Sequence, residues 1–341
     1  MPTSDRRFIR RLAVALAAAF GLVLAVMSPA GPATAGTGPA GSSAAIPVKS
    51  QPAVTVAPMG SRAATLTAKA RGGKSRSAAS GIQRSNRASN TVQPLAARSF
   101  YELQLNLCNS GVAGCFSGGD ALYEGGDLIY YLAPDLVTLN EICSSDLPNY
   151  LQPSLAEAWP GDWTYYSFYP AINKSTGTPI TCTGGRGDYG NAVLGRVPAA
   201  LWQGVNAWAG EYTAQDSGNE KRTFVCAYAV GDHMGCATHL TSSSEPIALS
   251  QCRALMFDAV PYIRSQEGLS NKTVVGGDFN MEYDTADPEN VQNCVPSGNT
   301  RKGDNDVQHV IFTNDFAFVS TSKYGMSYTD HDGFLVRLTK A

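Results

Sequence analysis

The chain has 341 residues, 43% hydrophobic and 16% charged, which excludes a highly charged, disordered polymer. Its net charge of -2 hides a division: residues 36–98 carry nine Lys and Arg and no Asp or Glu, whereas residues 99–341 hold 13 basic against 27 acidic residues, a net of -14. A single long apolar run excludes a multi-pass membrane protein, and no internal repeat marks a solenoid.

In chain order, Arg6, Arg7, Arg10 and Arg11 precede an apolar run over 12–27, and Ala33-Thr34-Ala35 supplies a small-residue exit. Positive, apolar and small-residue regions in that order make residues 1–35 a secretory signal peptide rather than a membrane anchor. A secreted protein with no membrane span after cleavage is therefore expected. Residues 36–98 are rich in Ala, Gly, Ser and Thr and poor in aromatics, so they bury too little apolar surface to offset the entropy of ordering. They are expected to form a disordered basic linker or pro-segment. Residues 99–341 are enough for one large α/β domain with a sizeable core.

Within that body, residues 103–107 alternate like a half-buried strand, 120–132 are helix-like, and 135–140 form a buried strand. A further strand covers 192–194. Residues 223–230 and 235–240 read as a hairpin turning at Gly231-Asp232, 247–265 have helical periodicity, and 273–277 lead into Asp278. Late strands are expected at 307–313 and 334–338. Many strands with few helices between them suggest two packed sheets with helices outside. The tryptophans Trp159, Trp163, Trp202 and Trp208 read as core rather than as a substrate rim.

All eight cysteines lie in the body, and an even count behind a signal peptide implies disulfides. Cys108–Cys115 and Cys226–Cys236 are the expected local pairs, the second stapling the hairpin. No C-x₂-C spacing supports zinc.

Several polar residues stand at strand ends, where a rigid sheet can aim them into a shared cleft. Asn106 ends the first strand and Glu141 the second, His239 follows the hairpin, Asp278 and Asn280 follow 273–277, and Asp330-His331 precede the last strand. Singly, each is an ordinary capping, turn or surface residue; together they make a pattern.

The stretches Leu105-Asn106-Leu107, Leu139-Asn140-Glu141, Gly190-Asn191-Ala192-Val193-Leu194, Ala237-Thr238-His239-Leu240, Gly277-Asp278-Phe279-Asn280 and Thr329-Asp330-His331 occur in an order that resembles the endonuclease/exonuclease/phosphatase superfamily, the deoxyribonuclease I-like fold. The resemblance covers nearly all of 99–341, and Gly-Asp-Phe-Asn is its most specific part. It implies a four-layer α/β/β/α sandwich with two packed, mainly antiparallel sheets and the active site at one sheet edge. Phosphodiester hydrolysis needs an in-line water and a stabilised leaving oxygen, and a divalent cation neutralises the developing charge. Glu141 fits as the first carboxylate for Mg2+ (or Mn2+ or Ca2+), with Asn106 beside it and Asp330 as a further ligand or supporting group. By resemblance Asp278 orients or deprotonates the attacking water, Asn280 holds phosphate and nucleophile, and His239 and His331 bind phosphoryl oxygens or shuttle protons. Asn191 and Arg222 are the remaining candidates for contacts to the phosphate.

In one position the chain departs from the family pattern. Where members carry an Asp that pairs with the histidine of the Asp-His motif, Gln308 stands here, in Val307-Gln308-His309-Val310. Glutamine cannot stabilise an imidazolium by charge. Asp306, two residues earlier, would share its face if both lay on a strand. Asp278, Asn280, Glu282, Asp284 and Glu289 mimic an EF-hand spacing, but Tyr283 stands where the turn demands Gly and no helix precedes it. Arg186-Gly187-Asp188 is treated as a chance tripeptide.

The family includes nucleases, sphingomyelinases and inositol polyphosphate phosphatases, and loops rather than the metal chemistry separate them. A secreted, disulfide-bonded member most resembles an extracellular nuclease, expected to be a monomer acting on nucleic acid or another phosphodiester. A lipid or small-molecule phosphoesterase and a non-catalytic binding protein on the same fold are the alternatives.

Overall fold

A computed structural model describes residues 46–58, 98–270 and 272–340. The signal segment 1–35 lies outside the described residues. The strands are Val48–Gln51 (β1), Val54–Val56 (β2), Arg98–Asn106 (β3), Leu136–Cys143 (β4), Trp163–Pro170 (β5), Ile172–Asn173 (β6), Tyr189–Val197 (β7) and Val205–Glu211 (β8). They continue with Glu220–Lys221 (β9), Thr223–Ala229 (β10), His233–His239 (β11), Thr273–Asp278 (β12), Asn299–Gly303 (β13), Gln308–Thr313 (β14), Phe316–Tyr324 (β15) and Gly333–Lys340 (β16). The helices are Asp120–Leu132 (α1), Gln152–Ala158 (α2), Glu245–Arg253 (α3) and Val260–Gln266 (α4).

Two seven-stranded sheets carry the fold, in the orders β1-β8-β10-β11-β12-β14-β13 and β15-β16-β3-β4-β7-β5-β2. Each is antiparallel except for one parallel pair, β11–β12 in the first and β3–β4 in the second. Alternation along the strands divides the apolar residues into layers. Phe100, Leu136, Val274, Val310 and Val336 pack between the sheets. Leu105, Leu139 and Leu194 pack with Leu128 of α1 and Leu155 of α2 on one outer face. Cys226, Val275 and Ile311 pack with Leu255 and Ile263 on the other. Helix, sheet, sheet, helix is the expected sandwich.

Helix α1 spans the expected residues. The expected helix over 247–265 is built as α3 and α4 joined by wide turns at Ala254–Ala259, ending two residues before Pro261. Proline has no N–H to donate and its ring crowds the preceding turn, which favours local widening there. The hairpin turns where expected, with Ala229 paired to His233.

Four disulfides close the fold: the expected Cys108–Cys115 and Cys226–Cys236, and also Cys143–Cys182 and Cys252–Cys294. No helix among the described residues is long and apolar enough to cross a membrane. The disulfides are compatible with an extracellular protein.

The expectation of a disordered linker over 36–98 is corrected for residues 46–58. Strand β1 pairs with β8 and β2 with β5, so this stretch adds an edge to each sheet. A backbone ladder supplies order that side-chain composition does not foretell. Among the tryptophans, Trp159 is buried beneath the Arg196 guanidinium, Trp163 and Trp202 stack with centroids 4.8 Å apart, and the Trp208 indole donates to Glu267.

Candidate active site

The two parallel pairs end at the same place. Asn106 is the register partner of Asn140 on β3 and β4, and His239 that of Asp278 on β11 and β12. Carboxyl ends of parallel strands open a crevice that antiparallel hairpins close off, and ligands gather there. The register of β4 slips between Leu139 and Ile142, and within that bulge Glu141 takes a left-handed φ of 55°. Bulges re-aim side chains, and a non-glycine residue held left-handed marks a place where geometry is kept against a local cost. Asn280 is also left-handed, with φ 52°.

The side chains converge on the Asp278 carboxylate. Asn106 Nδ2 donates to Asp278 Oδ2 and to Glu141 Oε1, each at 3.1 Å. Nε2 of His331 lies 3.4 Å and Nε2 of His239 3.8 Å from Asp278 Oδ2, and His239 Nε2 is 3.9 Å from Glu141 Oε1. Asp330 Oδ1 stands 3.8 Å from His331 Nε2. Arg222 Nη1 lies 3.1 Å from His239 Nδ1 and 3.0 Å from Glu220 Oε1. Asn280 is held by its amide donating to the Leu240 carbonyl at 2.9 Å, and its backbone N–H donates to Asp278 Oδ1 at 3.0 Å. Asn191 is turned inward: its oxygen accepts from Asn140 and its amide donates to the Thr223 carbonyl.

Burial is the main influence on the ionisable groups. It pushes the Asp278 and Glu141 carboxyls up, opposed at Asp278 chiefly by His331 and at Glu141 by the Asn106 hydrogen bond. It pulls His239 well below its usual range, with Arg222 and His331 acting in the same direction. Glu141 also feels the charges of Asp278 and Asp330, which push it in the same direction as burial. The Glu141 and Asp330 carboxylates are hard oxygen donors of the kind a divalent cation takes, and the Asn106 amide oxygen, which accepts the Cys108 N–H at 3.1 Å, is a third. The Cys108 and Cys115 sulfurs near Asp330 form a disulfide and offer no thiolate.

The loop carrying Asp330 and His331 is tied down from several sides. Thr329 Oγ1 donates to the Asn106 carbonyl at 2.9 Å, Ser327 and Tyr328 N–H groups donate to Glu124 of α1, and Gln308 Nε2 donates to the Asp332 carbonyl at 2.8 Å. Asp306 is exposed whereas Gln308 is buried. Strand β14 begins at Gln308, and Asp306 lies in the exposed bend before it, so strand alternation does not apply. Asp304 instead sits beneath Gln308, accepting its backbone N–H at 3.2 Å.

Sequence reasoning missed Asn140, Glu220 and Tyr189. Tyr189 is buried and its hydroxyl is pushed up by burial and by Glu141. Asn140 stood inside the quoted Leu139-Asn140-Glu141; its signal was the polar residue in an otherwise apolar buried strand.

The sequence profile of the Endonuclease/Exonuclease/phosphatase family matches residues 126–331. The chain belongs to this family. Its members are hydrolytic phosphoesterases that generally use divalent metal ions. No curated protein matches the chain. Among solved structures, it is similar to an endonuclease/exonuclease/phosphatase from Beutenbergia cavernae, at 16% identity over 72% of each chain with a TM-score of 0.50, a likeness of fold. The endonuclease/exonuclease/phosphatase from Bacteroides vulgatus matches at 14% identity over 71% of this chain and 99% of that one, TM-score 0.45. Caenorhabditis elegans TDP2 matches at 16% over 71% and 74%, TM-score 0.44.

Proposed function

We propose that the protein is a secreted, divalent-metal-dependent phosphodiesterase, and specifically an extracellular nuclease. The observation that carries this reading is the convergence of Asn106, Glu141, His239 and His331 on Asp278 at the meeting of the two parallel strand pairs.

When bound, the cation, Mg2+ or a related ion, supplies charge neutralisation at the phosphate and leaving oxygen. Glu141, Asn106 and Asp330 would hold it. The guanidinium of Arg222 has only hydrogens to offer, so His239 Nδ1 accepts, and the neutral ring carries its hydrogen on Nε2. That hydrogen faces the carboxylates and is placed to donate to a phosphoryl oxygen. Asp278, its proton affinity raised by burial, orients and deprotonates the attacking water. His331, within 3.4 Å of Asp278, steadies the phosphate or returns a proton to the leaving group.

Nucleic acid is favoured by a cation–aromatic surface on β13. Arg301 lies 4.3 Å from the exposed Tyr283 ring and Lys302 3.9 Å from the exposed Phe318 ring, a pairing suited to stacked bases and phosphates. Turnover of DNA, RNA, sphingomyelin and inositol phosphates, each with magnesium, calcium or chelator, tests the reading. Metal-dependent cleavage of nucleic acid that His239→Ala abolishes is expected. Sphingomyelin cleavage without nucleic acid cleavage would give the lipid phosphoesterase instead, and no hydrolysis of any substrate would give the binding protein.

A further inference from the structure

Beneath the candidate active site, between the sheets, lies a chain of buried polar side chains whose hydrogen count can be closed. Two backbone groups fix it at one end. The N–H of Asp278 can only donate, and it meets Asn140 Oδ1 at 2.8 Å; the carbonyl of Thr238 can only accept, and it meets Asn140 Nδ2 at 2.8 Å. The orientation of the Asn140 amide is thereby settled. Gln104 lies 2.7 Å from Asn140 Oδ1 and must offer its Nε2, so its Oε1 faces the other way, 2.5 Å from Thr138 Oγ1. Thr138 has one hydroxyl hydrogen, and this amide oxygen requires it. Yet Thr138 Oγ1 also stands 2.5 Å from Glu102 Oε1. With its hydrogen committed to Gln104, Thr138 must accept there, and the hydrogen in that contact belongs to Glu102.

We propose that Glu102 is a protonated, neutral carboxylic acid, and that its proton is the first link of a relay through Thr138, Gln104 and Asn140 that positions the floor of the active site. The floor is the backbone at Asp278 and Thr238, each one bond from Asn140 and next to or part of the residues that aim His239 and Asp278. Glu102 touches no substrate; it is a positioning residue.

The surroundings agree. Glu102 is wholly buried and its Oε2 has no hydrogen-bond partner, a setting in which a carboxylate is costly and an acid is tolerated. Its neighbours bring no charge: β4 sets Leu136 opposite it, β16 sets Val336, and β12 presents Gly276. The titratable groups on the packed strands stand at the two ends of this face, with Asp278 and His239 at one and Asp232, His233, Lys340 and Arg98 at the other. Burial pushes the Glu102 carboxyl from 4.5 up to about 8.

Loss of this proton leaves Glu102 Oε1 and Gln104 Oε1 competing for the single hydroxyl hydrogen of Thr138. The native state holds the proton where the unfolded chain has released it, so stability owed to Glu102 is complete below about 4.5 and is lost as pH rises to about 8, after which the loss is constant.

The test compares the full-length protein with Glu102→Gln, whose amide donates to Thr138 at every pH, and with Thr138→Val and Thr138→Ser. A carboxylic-acid stretch present in the infrared spectrum of the wild type at neutral pH and absent from Glu102→Gln is expected. Protection of the Asp278 amide against hydrogen exchange should fall in the wild type above about pH 8 and hold in Glu102→Gln. The inference rests on the catalytic reading of the floor for its kinetic arm. There, one pH unit above the midpoint the wild type should have about ten-fold lower kcat than Glu102→Gln, with KM within about two-fold. Thr138→Val should be slow at all pH and Thr138→Ser should recover. No acid stretch in the wild type, or amide protection and kcat profiles that run parallel in wild type and Glu102→Gln, would overturn the proposal. A wild type that hydrolyses no phosphodiester sinks the functional reading alone, because the infrared and exchange measurements still decide the proton and the floor.

Discussion

Gly276 on β12 and Thr138 on β4 meet across the two sheets so closely that a Cβ on the glycine would stand 2.2 Å from the threonine Oγ1 and 2.7 Å from Glu102 Oε1. Both neighbours are wholly buried and held in hydrogen bonds, so neither has room to give. Gly276→Ala should therefore destabilise the fold by about 1–3 kcal/mol, as overpacking of a filled interior does. Its kcat should fall more than its stability alone explains, because the added methyl pushes on the support of Asp278. Urea denaturation paired with kinetics below the unfolding transition checks both parts.

The pH dependence of His239 follows from its partners. Its native proton affinity is depressed, first by burial and then by Arg222 and His331. As pH falls below the ordinary histidine value of about 6.5, the unfolded chain takes up a proton that the native ring refuses, so this contribution to stability is present above that value and is lost toward acid. Arg222→Gln removes one cause of the depression. The acid limb of kcat/KM should then move to higher pH, and the rate at neutral pH should drop because Nδ1 loses the donor that fixes the tautomer. Removal of the ring itself in His239→Ala should cost about 10²–10⁴ in kcat. An acid limb unmoved in Arg222→Gln would mean that the guanidinium does not act on His239.

Disulfide removal should follow loop length. Cys252–Cys294 spans 42 residues and Cys143–Cys182 spans 39, whereas Cys108–Cys115 spans 7. Chain-entropy arithmetic makes each long bridge worth roughly 1.5 kcal/mol more than the short one, within a range of about 2–5 kcal/mol for loss of a native bridge. Paired Cys→Ser variants compared by chemical denaturation give the ranking. Cys108–Cys115 should stand apart in a second way. Cys108 lies two residues after Asn106 and the bridge sulfurs neighbour Asp330, so its loss should lower activity out of proportion to stability.

The site residues were legible because each follows an apolar run: Asn106, His239 and Asp278 stand where strands stop, Glu141 stands in the bulge of β4 rather than at its end, and the structure gathers them. Their support was not legible. Gln104, Thr138 and Asn140 are polar residues inside strands, and alternation alone sends such residues to solvent; only the second sheet, remote in sequence, makes that face interior. Asp306 misled for a related reason. Counting by twos from Gln308 assumes a strand that had not yet begun. Strands β1 and β2 were hidden because ladder pairing draws on backbone groups that every residue has, while composition speaks only of side chains.

Those two strands lead to the last expectation. β1 covers the edge of β8 and β2 the edge of β5, and Gln51 Nε2 donates to Ser167 Oγ on β5 at 2.7 Å. An uncovered edge presents a row of unpaired N–H and C=O groups to any passing strand. A chain lacking residues 46–58 keeps both sheets and every candidate site residue, since none lies in that stretch. It should retain catalysis per folded molecule, melt several degrees lower, and associate through the bared β8 and β5 edges as its concentration rises. Sedimentation velocity over a concentration series, with Tm and kcat measured alongside, distinguishes the outcomes. Unchanged Tm and a monomer at all concentrations would mean that the stretch adds pairing without protecting the edges, and loss of kcat with intact folding would give it a part in the active site that its position on the far strands does not suggest.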